Sequence, residues 1–250
     1  MQNLLTGQTA IITGATSGIG RATARLFAQE GAHIVACGRR AEALASLSEE
    51  IRALGGACAT LAGDGSDQDF AIRLARLAEE EFGGASILVC SAGMALRAPT
   101  LQMTRQEWDQ VMALNLTFPM VLSQLVIPQL QRRGGGKIVY ISSTAGRSVN
   151  MGASPSYGAS KAGLLYLTRH LATEFAGDHI YVNAICPGPV DTEITHTWTP
   201  EHRQKVLSSL PMGRMGTAED IAACALFLAS SMSDYITGEA ILANGGRFMM

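Results

Sequence analysis

Thr9-Ala10-Ile11-Ile12-Thr13-Gly14-Ala15-Thr16-Ser17-Gly18-Ile19-Gly20 runs from five strand-forming residues into a glycine-rich turn. A helical pattern follows over residues 21–30, with Ala22, Leu26 and Phe27 on one face and a stop at Gly31. Strand, glycine turn and helix in that order suit a dinucleotide. Glycines let the backbone turn tightly and approach a pyrophosphate, and the helix start offers N–H groups and the positive end of its dipole. The spacing is G-x-x-x-G-x-G rather than G-x-G-x-x-G, so the motif alone also fits an ordinary β-to-α turn.

The rest of the chain continues the same rhythm. Short apolar runs at 33–37, 57–62, 87–90, 137–142, 179–186 and 239–243 read as strands. Helical patterns cover 41–54, 67–82, 105–132, 156–176 and 218–230. Alternation of this kind implies a parallel sheet covered by helices on both faces, and near-continuous apolar strands such as Ile87-Leu88-Val89 are what such a sheet needs. The expectation is an α/β, doubly wound Rossmann fold of about seven parallel strands. It forms one domain over 1–250, with a lid around 190–212. Pro119 and Pro128 should kink or divide the 105–132 helix.

Composition narrows the function. Hydrophobic residues make up 47% and charged residues 16%, which excludes a disordered chain. A net charge of −2 without runs of one sign gives no electrostatic case for nucleic acid or a membrane surface. Five cysteines lack a C-x-x-C pair and five histidines lack H-E-x-x-H spacing, so neither a disulfide framework nor a zinc site is expected. No secretion-like segment precedes the first strand and no apolar run reads as membrane-spanning, so a cytoplasmic protein is expected.

The end of the second strand refines the ligand. An acid there would hold the ribose 2′-hydroxyl of NAD, and an arginine would accommodate the 2′-phosphate of NADP. The chain has Cys37-Gly38-Arg39-Arg40, so Arg39 and Arg40 favour NADP(H), with NAD(H) the alternative. Asp64-Gly65 follows the third strand, where an adenine contact or a cap for the helix near Asp67 is expected.

Tyr157 and Lys161 stand four residues apart, which on a helix is one face. A tyrosine with a pKa of about 10 is a poor base at neutral pH. A neighbouring ammonium, helped by a positively charged cofactor ring, would favour the phenolate and bring it toward general acid/base range. Taken alone the spacing equally fits a surface tyrosine beside a solvated lysine.

Taken together, these residues resemble the short-chain dehydrogenase/reductase family over essentially the whole chain. The matching segments are Thr13-Gly14-x-x-x-Gly18-Ile19-Gly20, Cys90-Ser91-Ala92-Gly93, Asn115, Ser143, Tyr157-x-x-x-Lys161 and Pro187-Gly188-Pro189-Val190-Asp191-Thr192. The resemblance implies a catalytic set of Asn115, Ser143, Tyr157 and Lys161. It implies cofactor contacts from Gly14, Thr16, Ser17, Gly18, Ile19, Gly20, Arg39, Arg40, Asp64, Gly65, Ser91, Ala92, Gly93, Tyr157, Lys161, Pro187, Gly188, Val190 and Thr192. Two departures stand out. Cys90 and Ser91 replace the family's usual Asn-Asn, removing amide hydrogen bonds at that strand end. One extra residue separates Ser143 from Tyr157, which makes Ser142 and Thr144 rival hydroxyls.

The implied reaction interconverts a ketone and a secondary alcohol by hydride transfer. A small polar substrate is the first expectation and 3-oxoacyl-[acyl carrier protein] reduction the second. The second would use Arg132-Arg133 to dock an acidic carrier, while Asp178 in the loop before the sixth strand argues against it. A catalytically silent NADP(H)-binding sensor or scaffold ranks last, because all four residues are present. Substrate contacts are expected from Arg147, Met151, His196 and Trp198, with Arg97 and Arg203 near the same edge. A homotetramer, or a homodimer, is expected through the two long helices and the last strand, with the apolar tail Gly246-Arg247-Phe248-Met249-Met250 packing on a neighbour.

Overall fold

The computed structural model describes residues 3–193, 195 and 198–249. Seven strands make one parallel sheet: β1 (Thr9–Thr13), β2 (His33–Gly38), β3 (Cys58–Ala62), β4 (Ile87–Cys90), β5 (Gly136–Ile141), β6 (Ile180–Pro187) and β7 (Ala240–Ala243). Their order across the sheet is β3-β2-β1-β4-β5-β6-β7, so β1 lies between β2 and β4. The helices are α1 (Gly18–Gln29), α2 (Ala41–Ala53), α3 (Gln68–Phe82), α4 (Arg105–Met112), α5 (Phe118–Arg132), α6 (Pro155–Phe175), α7 (Pro200–Ser208) and α8 (Ala218–Ala229).

Strand periodicity divides the core in two. Val35, Ile11, Leu88, Ile138 and Val182 are paired in register across five strands and point to one face. They pack there against Phe70 and Leu74 of α3, Leu122 and Val126 of α5, and Leu164 of α6. The alternate row, Ala36, Ile12, Val89 and Val139, faces Phe27 of α1, Leu47 of α2 and Leu228 of α8. Burial on both faces explains why these strands read as apolar runs rather than alternating ones.

Two expectations change. The first helix begins at Gly18, earlier than residue 21, so the second half of the glycine turn is the first turn of α1. The 105–132 helix remains continuous past Pro128, and its irregularity is a π-helical segment at Ala113–Thr117, just before Pro119. Pro119 has no N–H to bond the carbonyl four residues back, so the regular ladder cannot pass through that point. Contrary to the sequence reading, this 28-residue run is long and apolar enough to cross a membrane, with mean hydropathy 1.6 over its best window. Its buried residues, among them Leu122, Val126 and Leu130, are in the core on the sheet.

Candidate functional site

β1 and β4 are neighbours whose chains leave toward opposite faces, β1 to α1 and β4 toward α4 and α5. A crevice therefore opens at their carboxyl ends, where ligands bind in doubly wound sheets. The Thr13 hydroxyl ties the crevice together, accepting from the backbone N–H of Ser91 (3.1 Å) and of Ala92 (3.0 Å). Cys90 points into the core, where burial pushes its thiol far up. Thr13 thus secures the strand end that Cys90 and Ser91 leave without amide side chains.

Gly14 has a φ of 69°, and a Cβ there would lie 2.8 Å from the Ala92 backbone, so only glycine lets the two loops meet. Ser17, at the start of α1, makes no side-chain capping bond, which leaves the first-turn N–H groups without a side-chain acceptor. An uncapped helix start beneath a glycine cradle fits a pyrophosphate. Thr16, Ser17, Gly18, Ile19 and Gly20 all belong to this cradle.

No acid stands at the end of β2. Arg40 opens α2, makes a long 3.4 Å contact to the Thr16 hydroxyl and pairs with Glu193 at 3.2 Å. Arg39 lies close enough to Asp64 to help hold its carboxyl below the usual range. The main cause of that lowering is the Ser66 N–H and hydroxyl, each donating to Asp64 at 2.9 Å. The cap of α3 is Asp67, which accepts from the Asp69 N–H. At Gly65 a Cβ would strike the Phe118 ring, so this glycine is required for packing.

The proton-handling groups gather at the end of β5. Tyr157 and Lys161 lie in the first two turns of α6, whose start is capped by Ser154. Lys161 is 5% exposed, and its ammonium donates to the Ile141 carbonyl at 2.8 Å. Burial lowers its pKa to about 8. The ammonium stands 5.8 Å from the centre of the Tyr157 ring. In the chain by itself Tyr157 titrates above its ordinary value, opposite to the sequence expectation. Removing the phenolate from water outweighs the hydrogen bond from Ser143, and the nearby thiol of Cys186 adds to the rise.

Among the rival hydroxyls, Ser142 donates to the Lys161 backbone carbonyl at 2.9 Å and is buried. Thr144 begins the short turn Thr144–Gly146. Ser143 is the one close enough to the Tyr157 phenol to lower its pKa against the rise from burial. Asn115, fully buried in the π-helical segment, donates to the Met94 carbonyl (2.9 Å) and Ser160 hydroxyl (3.1 Å) and accepts from the Met94 N–H (2.9 Å). At Gly93 a Cβ would lie 3.3 Å from Asn115 Oδ1 and 3.5 Å from Lys161 Nζ, so three segments converge there. The geometry therefore brings Asn115, Ser143, Tyr157, Lys161, Ala92 and Gly93 together.

The Pro-Gly segment leaves β6 at Pro187. Gly188 donates to the Ala243 carbonyl, Val190 bridges to Gly216, and the Thr192 methyl lies 3.3 Å from where a Gly18 Cβ would stand. The segment thus reaches back over the glycine turn.

The substrate candidates fare less uniformly. Arg147 donates to the Ala240 carbonyl at 2.9 Å, pairs with Glu239 at 3.7 Å and lies beside the Cys186 thiol. Arg203 makes a two-pronged pair with Asp191 at 2.7 and 3.3 Å, which orders the lid start. Trp198 packs with Val206, Leu210 and Met215 in a small core under the lid, edge-on to His202. Its indole N–H is buried and has no hydrogen-bond partner among the described residues. Met151 is 91% exposed, on a loop joined to Leu96 through the Ser154 N–H. His196 lies outside the described residues. Tail residue Gly246 packs against Pro211 of the same chain.

Sequence reasoning missed Cys186 and Glu193, and placed Thr13 in the glycine motif without giving its side chain a role. The Cys186 thiol lies beside Arg147, Ser142 and the Ser143 backbone. Register could have signalled Thr13, the last residue of β1 opposite Cys90.

A family model described as enoyl-(acyl carrier protein) reductase matches residues 14–247. The chain is 38% identical over 242 residues to a 3-oxoacyl-[acyl-carrier-protein] reductase FabG of Thermotoga maritima, covering 97% of this chain and 98% of that one. Among solved structures it resembles a putative short-chain alcohol dehydrogenase of Sinorhizobium meliloti, with a TM-score of 0.93, 35% identity, and coverage of 99% and 98%. It also resembles a putative NAD(P)-dependent gluconate 5-dehydrogenase of Beutenbergia cavernae with bound NADP, with a TM-score of 0.93, 34% identity and 99% coverage of each chain.

Proposed function

Since the chain belongs to the short-chain dehydrogenase/reductase family of NAD(P)-dependent oxidoreductases, we propose that it interconverts a ketone and a secondary alcohol with NADP(H) as the preferred cofactor. The observation that carries this reading is the convergence of Ser143, Tyr157 and Lys161 beside a glycine cradle that leads to Arg39 and Arg40. When bound, the cofactor supplies or accepts the hydride. Arg39 and Arg40 would hold the 2′-phosphate, the start of α1 the pyrophosphate, and Lys161 the nicotinamide ribose.

The chain's own residues handle the proton. Ser143 donates to the substrate oxygen and stabilises the negative charge that develops there. Tyr157 gives its phenolic proton to that oxygen during reduction and removes it during oxidation. Burial raises the cost of the phenolate in the chain without cofactor. Lys161 is the nearby cation that lowers the cost of the phenolate once the proton has left. Asn115 holds a water that reconnects Lys161 to solvent. Its side-chain N–H groups are engaged by Met94 and Ser160. A water there would bond the Asn115 backbone, in the π-helical segment, rather than its side chain.

The substrate is proposed to be a small polar ketone or alcohol, a reading supported by the likeness to the putative gluconate 5-dehydrogenase. A second reading is reduction of a 3-oxoacyl group on a carrier protein. It is favoured by the Thermotoga maritima relative and by exposed Leu101, Val149 and Met151 on loops at the carboxyl edge. Arg132, Arg133 and Asp178 precede β5 and β6, at the edge opposite the site. Arg132 pairs with Glu79, and Arg133 donates to the Gly7 and Gly84 carbonyls.

We further propose assembly through the outer faces of α5 and α6. Apolar grooves between them are lined by Met120, Ile127, Leu167 and Phe175, with Tyr166 exposed nearby. A panel of hydroxy and keto acids, polyols and a 3-oxoacyl thioester, each assayed with NADPH and NADH, tests the function. Turnover of hydroxy or keto acids with NADPH supports the first reading. Turnover confined to the thioester selects the second, and a preference for NADH contradicts the role given to Arg39 and Arg40.

A further inference from the structure

The Arg40 guanidinium joins three segments that otherwise meet only at the cofactor crevice. It starts α2 at the end of β2, touches the Thr16 hydroxyl of the glycine turn at 3.4 Å, and pairs with Glu193 of the lid start at 3.2 Å. Thr192, next to Glu193, lies against Gly18 of the same turn. Glu193 therefore puts a carboxylate at the position where an arginine after β2 would take a 2′-phosphate. Two anions cannot share one guanidinium without cost, since each needs its donors and they repel each other.

We propose that Glu193 is a specificity-determining residue that competes with the cofactor's 2′-phosphate for Arg40. The inference rests on the reading of Arg39–Arg40 as the 2′-phosphate site. A phosphorylated cofactor must displace Glu193 from Arg40. A cofactor with a bare 2′-hydroxyl leaves the pair intact. Glu193 thereby lowers affinity for NADP(H) selectively. Both side chains are more than half exposed, so the pair is a weak surface bridge and its effect is a few-fold, not orders of magnitude.

The test is a fluorescence titration of the full chain with NADPH and with NADH, for the wild type, Glu193→Gln, Arg40→Gln and the double variant. Glu193→Gln is expected to raise the NADPH-to-NADH affinity ratio by about three- to fivefold, with NADH binding unchanged. The same change made in the Arg40→Gln background should leave the ratio where it was. An unchanged ratio in Glu193→Gln, an equal shift for both cofactors, or an effect that persists without Arg40 would each overturn the proposal. The wild-type ratio reports separately on the cofactor reading. A wild type that favours NADH refutes NADP preference, while the change on Glu193→Gln still decides the role of Glu193.

Discussion

Thr13 holds two backbone N–H groups with a single oxygen. Thr13→Val keeps its shape and removes that oxygen, leaving the Ser91 and Ala92 amides unsatisfied in a half-buried place. A loss of about 1–3 kcal/mol is expected, read as a lower urea midpoint. Lys161 makes a pH-dependent prediction. Its folded pKa of about 8 lies below the 10.5 of an ordinary lysine, so between those values the unfolded chain binds more protons than the folded one. Stability attributable to Lys161 therefore rises with pH through that window, because burying the charge is costly only while the charge is there. Lys161→Met is expected to be more stable than the wild type near pH 7, with the gap narrowing from pH 8 to pH 10. Denaturant midpoints across that range check the sign, and a gap that widens would contradict it.

At the scale of elements, the β1–turn–α1 unit was legible because its glycines have physical work that no other residue can do. Gly14→Ala would place a methyl group 2.8 Å from the Ala92 backbone at a positive φ. About 1–3 kcal/mol of strain is expected, together with weakened nucleotide binding, measurable by thermal melts with and without NADPH. Strand positions were readable because burial on both faces leaves a plain apolar signature. The break near Asn115 was only half readable. Proline marked that something must happen, but the sequence did not disclose that the ladder shifts to π spacing before Pro119 rather than kinking at Pro128. Side-chain direction was less legible still. Arg147 sits on a loop at the correct edge, but its bond to the Ala240 carbonyl and its place beside Cys186 could not be read from the sequence. Trp198 belongs to the lid's own small core, because Val206, Leu210 and Met215 come together only after the chain folds.

At the scale of the whole molecule, sheet order turns a list of distant residues into one site. Residues 13–20, 91–93, 115, 143, 157–161 and 187–192 all lie at carboxyl ends of neighbouring strands or at the helices that follow. Assembly is proposed through the outer faces of α5 and α6. Met120→Glu puts a charge into the groove between them, and light scattering should then report a smaller species than the wild type. In the proposed nicotinamide-dependent reaction, Tyr157 transfers the proton. Tyr157→Phe removes the hydroxyl and keeps the ring, and its turnover and NADPH affinity are the measurements to make. A fall in turnover of about 10²–10⁴-fold at unchanged NADPH affinity is the predicted result, and near-normal turnover in that variant would contradict the account.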